Sequence, residues 1–261
     1  MNSDNRPIGV FDSGVGGISV LSELTALMPN ENFIYYGDSV NAPYGVRDFD
    51  NVRSLTFATA EKLIAQNCKC LVIACNTATT AAVRPLRSMY GSSVPVIGIE
   101  PALKPAVLAK PGGRVLVLAT AVTLREEKFH HLMDKYKDQA VILTMACPGI
   151  VEYVEQGITK GPAFEAYLTD LLSEYIDNPP DCVVLGCTHY PFVKDSINRV
   201  LKGKSLIFDG GAGTARETRH QLILHDICSD SNQVGNIIIE NSNPHMIPLC
   251  YRLLEKARSG C

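Results

Sequence analysis

The sequence has no surplus of positive charge and no long apolar run. Its 24 Lys and Arg residues are outnumbered by 27 Asp and Glu residues, which gives a net charge of -3. Basic and aromatic residues do not interleave, so the charge pattern gives no support for nucleic acid or an anionic membrane as a partner. No apolar stretch approaches the ~20 residues of a membrane span. We therefore expect neither nucleic-acid nor membrane binding.

The cysteines do not form the framework of a small disulfide-rich protein. Nine is an odd number, so they cannot all pair within one chain, and their spacing matches no such framework. The first seven residues are polar and lack the apolar stretch of a signal peptide. Both observations favour a reducing compartment, and we expect a cytoplasmic protein. The cysteines are Cys68, Cys70, Cys75, Cys147, Cys182, Cys187, Cys228, Cys250 and Cys261.

Nucleotide and metal motifs are also missing. The glycine-rich loop at residues 12–17 lacks the lysine of a Walker loop and the full GxGxxG spacing, so nucleotide binding is weakly supported. Cys187 and His189 are soft ligands, but no CxxC pair or HExxH spacing completes a metal site, and we expect no metal. A lone histidine is usually a surface or satisfied core residue. Beside a thiol, His189 can instead stabilise the thiolate or shuttle a proton.

Short apolar runs alternate with amphipathic stretches along the chain, which is typical of an α/β protein with parallel strands. The chain has 261 residues, of which 46% are hydrophobic and 20% charged, as in an ordinary soluble globular protein. The predicted strands are Ile8–Asp12, Phe33–Tyr36, Cys70–Cys75, Val94–Ile99, Arg114–Ala119, Val141–Ala146, Asp181–Gly186 and Ser205–Asp209.

A weak internal repeat predicts two pseudo-symmetric lobes, each a mostly parallel sheet flanked by helices. Residues 8–13 resemble residues 115–120 at an offset of 107 (115 − 8). The settings of Cys75 and Cys187 are offset by a similar 112 (187 − 75). These offsets predict that a strand-loop-helix pair occurs twice, with one of these cysteines in each copy.

The crossings between the predicted lobes follow from prolines and glycines. Residues 95–105 hold three prolines and a glycine and predict the first crossing, and Lys202-Gly203-Lys204 predicts the return. We expect one lobe of residues 1–98 plus 207–261 and a second of residues 99–206. The strand tips of the two lobes would face each other, with the active site in the cleft between them.

Cys75 and Cys187 occupy near-duplicate settings. Each follows an apolar run that predicts a buried parallel strand, and each is followed by hydrogen-bonding side chains, Asn-Thr in one case and Thr-His in the other. A free cysteine at a strand end is usually a small core hydrophobe, but polar triplets are poor core material. Open α/β sheets bind ligands at these strand ends, where the next helix can favour a thiolate. Two such thiols indicate acid/base chemistry on both faces of a substrate.

Two loops are expected on the same rim as Cys75. Asp12 or Ser13 can cap the following helix, and a carboxylate there can equally bind a substrate ammonium or orient a thiol. Asn41-Ala42-Pro43-Tyr44-Gly45 is a turn by composition and follows the second predicted strand. Its last two N–H groups can bind a carboxylate.

Four motifs stand in order along nearly the whole chain. They are Phe11-Asp12-Ser13-Gly14-Val15-Gly16-Gly17, Ala42-Pro43-Tyr44-Gly45, Ala74-Cys75-Asn76-Thr77-Ala78 and Leu185-Gly186-Cys187-Thr188-His189-Tyr190-Pro191. Each is weak alone, but their combination resembles the glutamate racemase family of the aspartate/glutamate racemase superfamily. The resemblance implies a cofactor-independent enzyme that supplies D-glutamate for peptidoglycan, with Cys75 and Cys187 as opposed acid and base. We also expect a homodimer.

The resemblance also implies roles around the thiols. The residues implied to contact the substrate or tune the thiols are Asp12, Ser13, Pro43, Tyr44, Gly45, Asn76, Thr77, Thr188 and His189. Thr120 and Thr123 resemble the family's mid-chain substrate-side threonines. Family members carry a further catalytic-site glutamate after a Cys-Pro turn. Here Cys147-Pro148 leads to both Glu152 and Glu155, and Glu155 fits the spacing better.

Two segments depart from the family pattern. Gly149-Ile150-Val151-Glu152-Tyr153 is more polar than the usual apolar run, and Asp209-Gly210-Gly211-Ala212-Gly213 is richer in glycine. Neither segment contains one of the two cysteines, but either can alter the cleft or the oligomer.

The residue types define a mechanism. The α-proton of an amino acid is very weakly acidic, so a base must be positioned and the carbanion stabilised. One thiolate removes the proton and a thiol on the opposite face delivers another, without pyridoxal phosphate. An ordinary thiol pKa of ~8.5 suits both roles.

Three alternatives stay open: a sister racemase acting on aspartate, a thiol hydrolase using Cys187 and His189, and a non-catalytic amino-acid-binding protein.

Overall fold

A computed structural model describes residues 4–259 of the protein. Cys261 and residues 1–3 of the polar start lie outside the described residues. The described chain divides into two compact units, one of residues 4–100 with 211–259 and one of Pro101–Gly210. The second unit is thus an insertion in the chain that forms the first.

Nine strands and twelve helices follow one another within the described residues. The strands are β1 (Ile8–Asp12), β2 (Phe33–Gly37), β3 (Cys70–Ile73), β4 (Val96–Gly98), β5 (Arg114–Ala119), β6 (Val141–Ala146), β7 (Cys182–Leu185), β8 (Leu206–Asp209) and β9 (Ile237–Asn241). The helices are α1 (Ile18–Leu27), α2 (Phe49–Ala65), α3 (Asn76–Tyr90), α4 (Leu103–Ala109), α5 (Ala121–Arg125), α6 (Glu127–Asp134), α7 (Ile150–Glu155), α8 (Pro162–Leu171), α9 (Ser173–Ile176), α10 (Lys194–Val200), α11 (Gly211–Leu224) and α12 (Ile247–Ser259). Short 3₁₀ turns lie at Tyr44–Val46, Tyr190–Val193 and Pro244–Met246.

The first unit is built on a parallel sheet with the strand order β4-β3-β1-β2-β9. β1 is buried along its whole length, with Ile8 opposite Phe33 of β2 and Cys70 of β3. Parallel strands covered on both faces are near-continuous apolar runs, which is why β1 and β3 are visible in the sequence. Helices α2 and α3 pack against each other and share one apolar core with the sheet, while α1 packs against α11 and α12.

The second unit has a four-stranded parallel sheet with the order β6-β5-β7-β8. Leu103 of α4 and Phe129 of α6 pack with Val115 and Val117 of β5 in its core. This order repeats the β2-β1-β3-β4 order of the first unit, so β5 corresponds to β1 and β7 to β3. The predicted α/β class, with parallel sheets flanked by helices, is confirmed.

Several strand ends differ from the prediction. β3 ends at Ile73 because Cys75 is the N-cap of helix α3 rather than the last strand residue. The predicted strand Val94–Ile99 is shortened to β4, and the ends of β2, β7 and β8 differ by one residue each. β9 is absent from the predicted set. It pairs with β2 at the edge of the sheet, where a strand of Ile-Ile-Ile-Glu-Asn is only partly buried.

The return to the first unit lies later than predicted. β8 pairs with β7, so the chain completes the second sheet before it crosses, and the residues Lys202-Gly203-Lys204 precede that strand. The second unit starts two residues after the predicted position 99 (101 − 99) and ends four residues after 206 (210 − 206).

Two properties of residues 4–259 complete the description. No helix in this part of the chain has both the length and the apolar character that crossing a membrane requires. All eight of its cysteines are free thiols, and seven of them are buried.

Candidate active site

Cys75 is held between strand β3 and helix α3. Its Sγ atom caps α3 by accepting a hydrogen bond from the Ala78 N–H at 3.4 Å. Its thiol donates to the Ser13 hydroxyl, with 3.7 Å between the two atoms. The residue is 6% exposed. The helix N-terminus and its N–H groups stabilise negative charge on the sulfur, so the fold favours a thiolate here.

Asp12 ends strand β1 and is fully buried. Its Oδ2 atom accepts a hydrogen bond from the Gly14 N–H at 3.1 Å, which folds the glycine-rich loop back on the strand. The N-cap position of α1 is Gly17, so neither Asp12 nor Ser13 occupies it. A Cβ atom on Gly17 would lie 2.6 Å from the Asp12 Cβ, so glycine lets the helix approach this carboxylate closely.

The loop after β2 is held by Asp38, a carboxylate that the sequence analysis did not single out. Asp38 accepts hydrogen bonds from the Tyr44 hydroxyl at 2.7 Å and from Asn41 Nδ2 at 3.0 Å. Burial and the neighbouring charge of Asp38 raise the pKa of Tyr44, whose hydroxyl therefore stays a donor. Asp38 directly follows β2, much as Asp12 ends β1. A polar residue at the end of a buried strand is therefore the sequence feature that could have indicated Asp38.

The other first-unit candidates lie on two short segments. Pro43 precedes and Gly45 belongs to the 3₁₀ turn Tyr44–Val46. Asn76 and Thr77 form the first turn of α3, and both are buried. The Asn76 Oδ1 atom is buried and has no hydrogen-bond partner among residues 4–259. A buried polar atom without a partner is costly, so this amide is suited to bind a ligand.

Cys187 belongs to a chain of three side chains. Its Sγ lies 3.7 Å from His189 Nδ1, and His189 Nε2 lies 2.7 Å from Glu155 Oε1. The histidine side chain is 2% exposed and the glutamate side chain 16%. The structure therefore brings Glu155, from the last turn of α7, to the histidine beside the thiol.

His189 supplies the positive charge near Cys187. Burial lowers the pKa of His189, but hydrogen bonds and charges from Cys187 and Glu155 raise it well above its ordinary value. At this distance the imidazole can exchange a proton with the sulfur. The expected α-helix N-terminus directly after this cysteine is wrong, because the 3₁₀ turn Tyr190–Val193 lies there. Cys187 thus has the His189 ring as its neighbour, where Cys75 has the N-terminus of α3.

Three threonines complete the second-unit candidates. The Thr120 and Thr123 hydroxyl oxygens lie 3.0 Å apart, and the Thr123 N–H donates to Thr120 Oγ1 at 3.2 Å, which caps α5. Thr120 follows β5 as Ser13 follows β1, so the two hydroxyls occupy the same place in the repeat. Thr123 and Thr188 are both buried.

Cys147 is a second buried thiol in the same unit, but it is poorly suited to acid/base work. It follows strand β6, and burial together with the charge of Cys187 raises its pKa to about 12. Its carbonyl oxygen accepts a hydrogen bond from the Tyr190 hydroxyl at 3.1 Å. Cys147 and Tyr190 therefore fix the backbone around the site rather than exchange protons.

Equivalent backbone links precede the two candidate thiols. The Ala74 N–H donates to the Phe11 carbonyl at 2.8 Å, and the Gly186 N–H donates to the Leu118 carbonyl at 2.7 Å. Ala74 and Gly186 directly precede the two cysteines, and their partners lie in β1 and β5. Each thiol thus stands at the carboxyl end of the same strand in the repeated order.

The side chains in these positions are thiols, hydroxyls, carboxylates, an amide and an imidazole. Within residues 4–259, no three histidine, cysteine, aspartate or glutamate side chains are grouped as a metal site would require. The set can donate and accept protons and can bind the charged groups of a small polar molecule. These properties define an α/β protein equipped for acid/base chemistry with thiols.

Comparison with known proteins identifies this class. The family model of the Asp/Glu/hydantoin racemases matches residues 15–218. A glutamate racemase of Clostridium kluyveri is 49% identical over 258 residues, which are 98% of this chain and 100% of that relative. The chain belongs to the Asp/Glu/hydantoin racemase family. The expected resemblance to glutamate racemases and the expected class of enzyme, an amino-acid racemase, are thereby confirmed.

Two solved structures have the same fold. Escherichia coli glutamate racemase, in complex with L-glutamate and the activator UDP-MurNAc-Ala, is 30% identical with a TM-score of 0.83 and is matched over 97% of this chain and 95% of its own. Glutamate racemase from Francisella tularensis, in complex with D-glutamate, is 27% identical with a TM-score of 0.81 and is matched over 99% and 95%.

Proposed function

We propose that this protein interconverts L- and D-glutamate without a cofactor, using Cys75 and Cys187 as acid and base. The observation that carries the proposal is the repeat itself. Two buried thiols follow strands β3 and β7, which hold the same place in the two sheets. Two such groups suit a reversible proton exchange at one carbon, since each can serve as base in one direction and as acid in the other.

Glutamate as the substrate is supported by the relatives. The Clostridium kluyveri relative is a glutamate racemase, and the two structural neighbours hold L-glutamate and D-glutamate. In this chain the ammonium and carboxylates would be bound by backbone N–H groups and buried polar side chains. The residues proposed for this binding are Asp12, Ser13, Pro43, Tyr44, Gly45, Asn76, Thr77, Thr120, Thr123, Thr188 and His189.

The chemistry needs no group beyond the two thiols and the substrate. One thiolate takes the α-proton, so the C–H bond breaks, its electron pair stays on Cα and an S–H bond forms. The opposite thiol then gives its proton to the other face of Cα and becomes a thiolate. Buried hydrogen-bond donors at the substrate carboxylate would stabilise the carbanion. The protein is left with its two protonation states exchanged.

Chiral chromatography of purified, dialysed protein tests this activity. We expect L-glutamate to give D-glutamate and L-aspartate to give no comparable product, and addition of a carbonyl scavenger such as hydroxylamine to leave the rate unchanged. Conversion of aspartate alone would assign the protein to the sister racemases. Loss of activity with the scavenger would show that a carbonyl cofactor takes part.

A thiol hydrolase is a second candidate because Cys187, His189 and Glu155 form a hydrogen-bonded chain. A nucleophilic cysteine with a histidine base and an orienting carboxylate is the arrangement such enzymes use. This function gives Cys75 no role. A Cys75→Ala protein that still cleaved an ester or amide would favour the hydrolase, whereas loss of racemisation on the same substitution favours the racemase.

We further propose that the D-glutamate is made in the cytoplasm and used for peptidoglycan. A reducing compartment is supported by the eight cysteines of residues 4–259, none of which forms a disulfide. Expression in a bacterium that requires external D-glutamate tests the role, since growth without D-glutamate is the expected result. The expected homodimer stays a prediction.

A further inference from the structure

Helix α7 is the element that brings Glu155 to His189, and it starts in the segment expected to depart from the family pattern. The helix has only six residues, and Glu155 is the last of them. So short a helix has little stability of its own, because helix formation needs a costly nucleus. Its position must therefore be fixed by contacts with neighbouring elements.

The turn before α7 is held by two tyrosine hydroxyls. The Tyr167 hydroxyl of α8 donates to the Pro148 carbonyl, and the Tyr190 hydroxyl donates to the preceding carbonyl, that of Cys147, at 3.1 Å. Burial, with smaller contributions from neighbouring charges, raises the pKa of Tyr167 to about 12, so this donor keeps its proton at neutral pH. Two consecutive carbonyls are thus anchored from two different elements.

Gly149 makes the Tyr167 contact possible. Its φ angle is +89°, a left-handed conformation that glycine adopts without strain. A Cβ atom at this position would lie 2.8 Å from the Tyr167 hydroxyl oxygen and 3.1 Å from its Cζ atom. Any other residue here would displace the tyrosine from the turn.

The rings of Phe164 and Tyr167 pack against the ring of Tyr153, which lies on the side of α7 away from Glu155. The Tyr153 ring lies 5.0 Å from the Phe164 ring and 5.2 Å from the Tyr167 ring, measured between centroids. Tyr153 is two residues before Glu155, which places the two side chains on opposite sides of the helix at about 100° per residue. The rings therefore hold one side of α7 while the glutamate points from the other.

We propose that Tyr167 is a positioning residue, which fixes the turn at Pro148 and, through Tyr153, helix α7, so that Glu155 holds His189 against Cys187. The inference deepens the proposed function and rests on it for the role of His189. It gives a task to Gly149 and Tyr153, which bound the segment expected to depart from the family pattern.

The pKa of His189 depends on the position of α7, because Glu155 of this helix is hydrogen-bonded to it. The groups that set its charge are Cys187 and Glu155, which raise its pKa, and burial, which lowers it. The titratable groups around the adjoining Tyr190 are Cys147, Glu152, Tyr167 and Cys187. If α7 is displaced, Glu155 retreats while the burial remains, so the pKa of His189 must fall.

The experiment is a titration of the histidines by NMR in Tyr167→Phe, a variant that keeps the ring and loses only the hydroxyl. The His189 signal is assigned as the one missing from the spectrum of His189→Asn. We expect the pKa of His189 to fall, and kcat to fall by about 10- to 100-fold with KM little changed. Tyr153→Phe is the matched control, since it removes a hydroxyl from the same cluster and should leave the titration as in the wild type.

A folded Tyr167→Phe protein with an unchanged His189 titration would overturn the proposal, whatever its melting temperature. If Tyr167→Phe does not fold, Gly149→Ala disturbs the same turn, because alanine is strained at a φ of +89° and its methyl group would lie 2.8 Å from the Tyr167 hydroxyl oxygen; an unchanged His189 titration in this variant would likewise overturn the proposal. The titration needs no turnover. Failure of the positioning role is therefore distinguishable from failure of the racemase assignment, which only the activity assay measures.

Discussion

At the scale of single residues, the two thiols share a position in the repeat but have different neighbours. The Cys75 sulfur accepts a hydrogen bond from the Ala78 N–H at the start of α3, whereas the Cys187 sulfur lies beside the His189 ring. The neighbour of Cys75 is a neutral backbone dipole, whereas the neighbour of Cys187 is an ionisable side chain. We therefore expect the two directions of the reaction to respond unequally when these neighbours are changed.

Replacement of either thiol by alanine should abolish racemisation and leave the fold intact. Loss of one acid/base group removes about 10²- to 10⁴-fold of rate, and each direction needs both groups. Cys182→Ala is a matched control, because this buried cysteine starts β7, the strand that leads to Cys187. The variant should retain activity. Near-normal turnover by folded Cys187→Ala would exclude the two-thiol scheme. Circular dichroism and chiral chromatography make the comparison.

The His189–Glu155 pair should give the stability a pH dependence of known sign. Its raised pKa means that the folded protein binds this proton more tightly than the unfolded chain does. The contribution to the free energy of unfolding is therefore complete below about pH 6.5 and is lost as the pH rises through the folded-state pKa. Urea unfolding of Glu155→Gln should show a shallower dependence over this range. Parallel curves for the variant and the wild type would contradict the pairing.

At the scale of elements, close approach between α1 and β1 shapes the loop of Asp12. Gly17→Ala would place a methyl group 2.6 Å from the Asp12 Cβ. This atom is bonded directly to the backbone, so a change of side-chain rotamer cannot move it away. We expect about 1–3 kcal/mol lower free energy of unfolding and a reduced kcat. Gly213→Ala is the control, since the nearest atom to its new methyl group is 4.0 Å away. Equal stability of both variants would show that the approach can relax.

Much of both sheets is predictable because buried parallel strands are apolar runs, but the rest depends on pairing. β9 was missed although Ile237-Ile238-Ile239 is rich in β-branched residues, because it lies far along the chain from its partner β2. Cys75 and Cys187 are predictable from their duplicate settings. Asp38 could have been found from its place directly after β2, whereas Tyr167 could not, since its hydrogen bond to Pro148 links separate elements. The cleft expected between the lobes stays a prediction.

At the scale of the whole molecule, the first unit is made from two distant stretches of chain, and a buried ion pair in the first stretch contacts the second. Lys69 at the start of β3 is fully buried, and its Nζ lies 2.6 Å from Glu31 Oε2. Glu31 Oε1 accepts a hydrogen bond from the Ser229 N–H at 2.8 Å, and the Lys69 ammonium donates to the Asp4 carbonyl. The pair therefore links the start of the described chain at Asp4 and the second stretch at Ser229 to the residue before β3.

Removal of one partner should be costly because the other charge stays buried. We expect Glu31→Gln to lower the free energy of unfolding by about 3–5 kcal/mol. Asp177→Asn is the matched control; its ion pair with Lys202 is exposed, at 99% and 50%, and should contribute at most about 1 kcal/mol. Urea denaturation measures both, and similar losses would show that the buried pair has no special role.

The most direct test of the two-thiol mechanism is the fate of the α-hydrogen in deuterated water. The proposal has one thiolate remove the proton of L-glutamate while a deuterated thiol on the opposite face completes the product. Mass spectrometry at low conversion should therefore find deuterium at Cα of the D-glutamate, with the remaining L-glutamate still largely protiated. A single base reaching both faces would return original hydrogen to the product and exchange deuterium into the recovered substrate. Substantial protium in the D-glutamate would contradict the account.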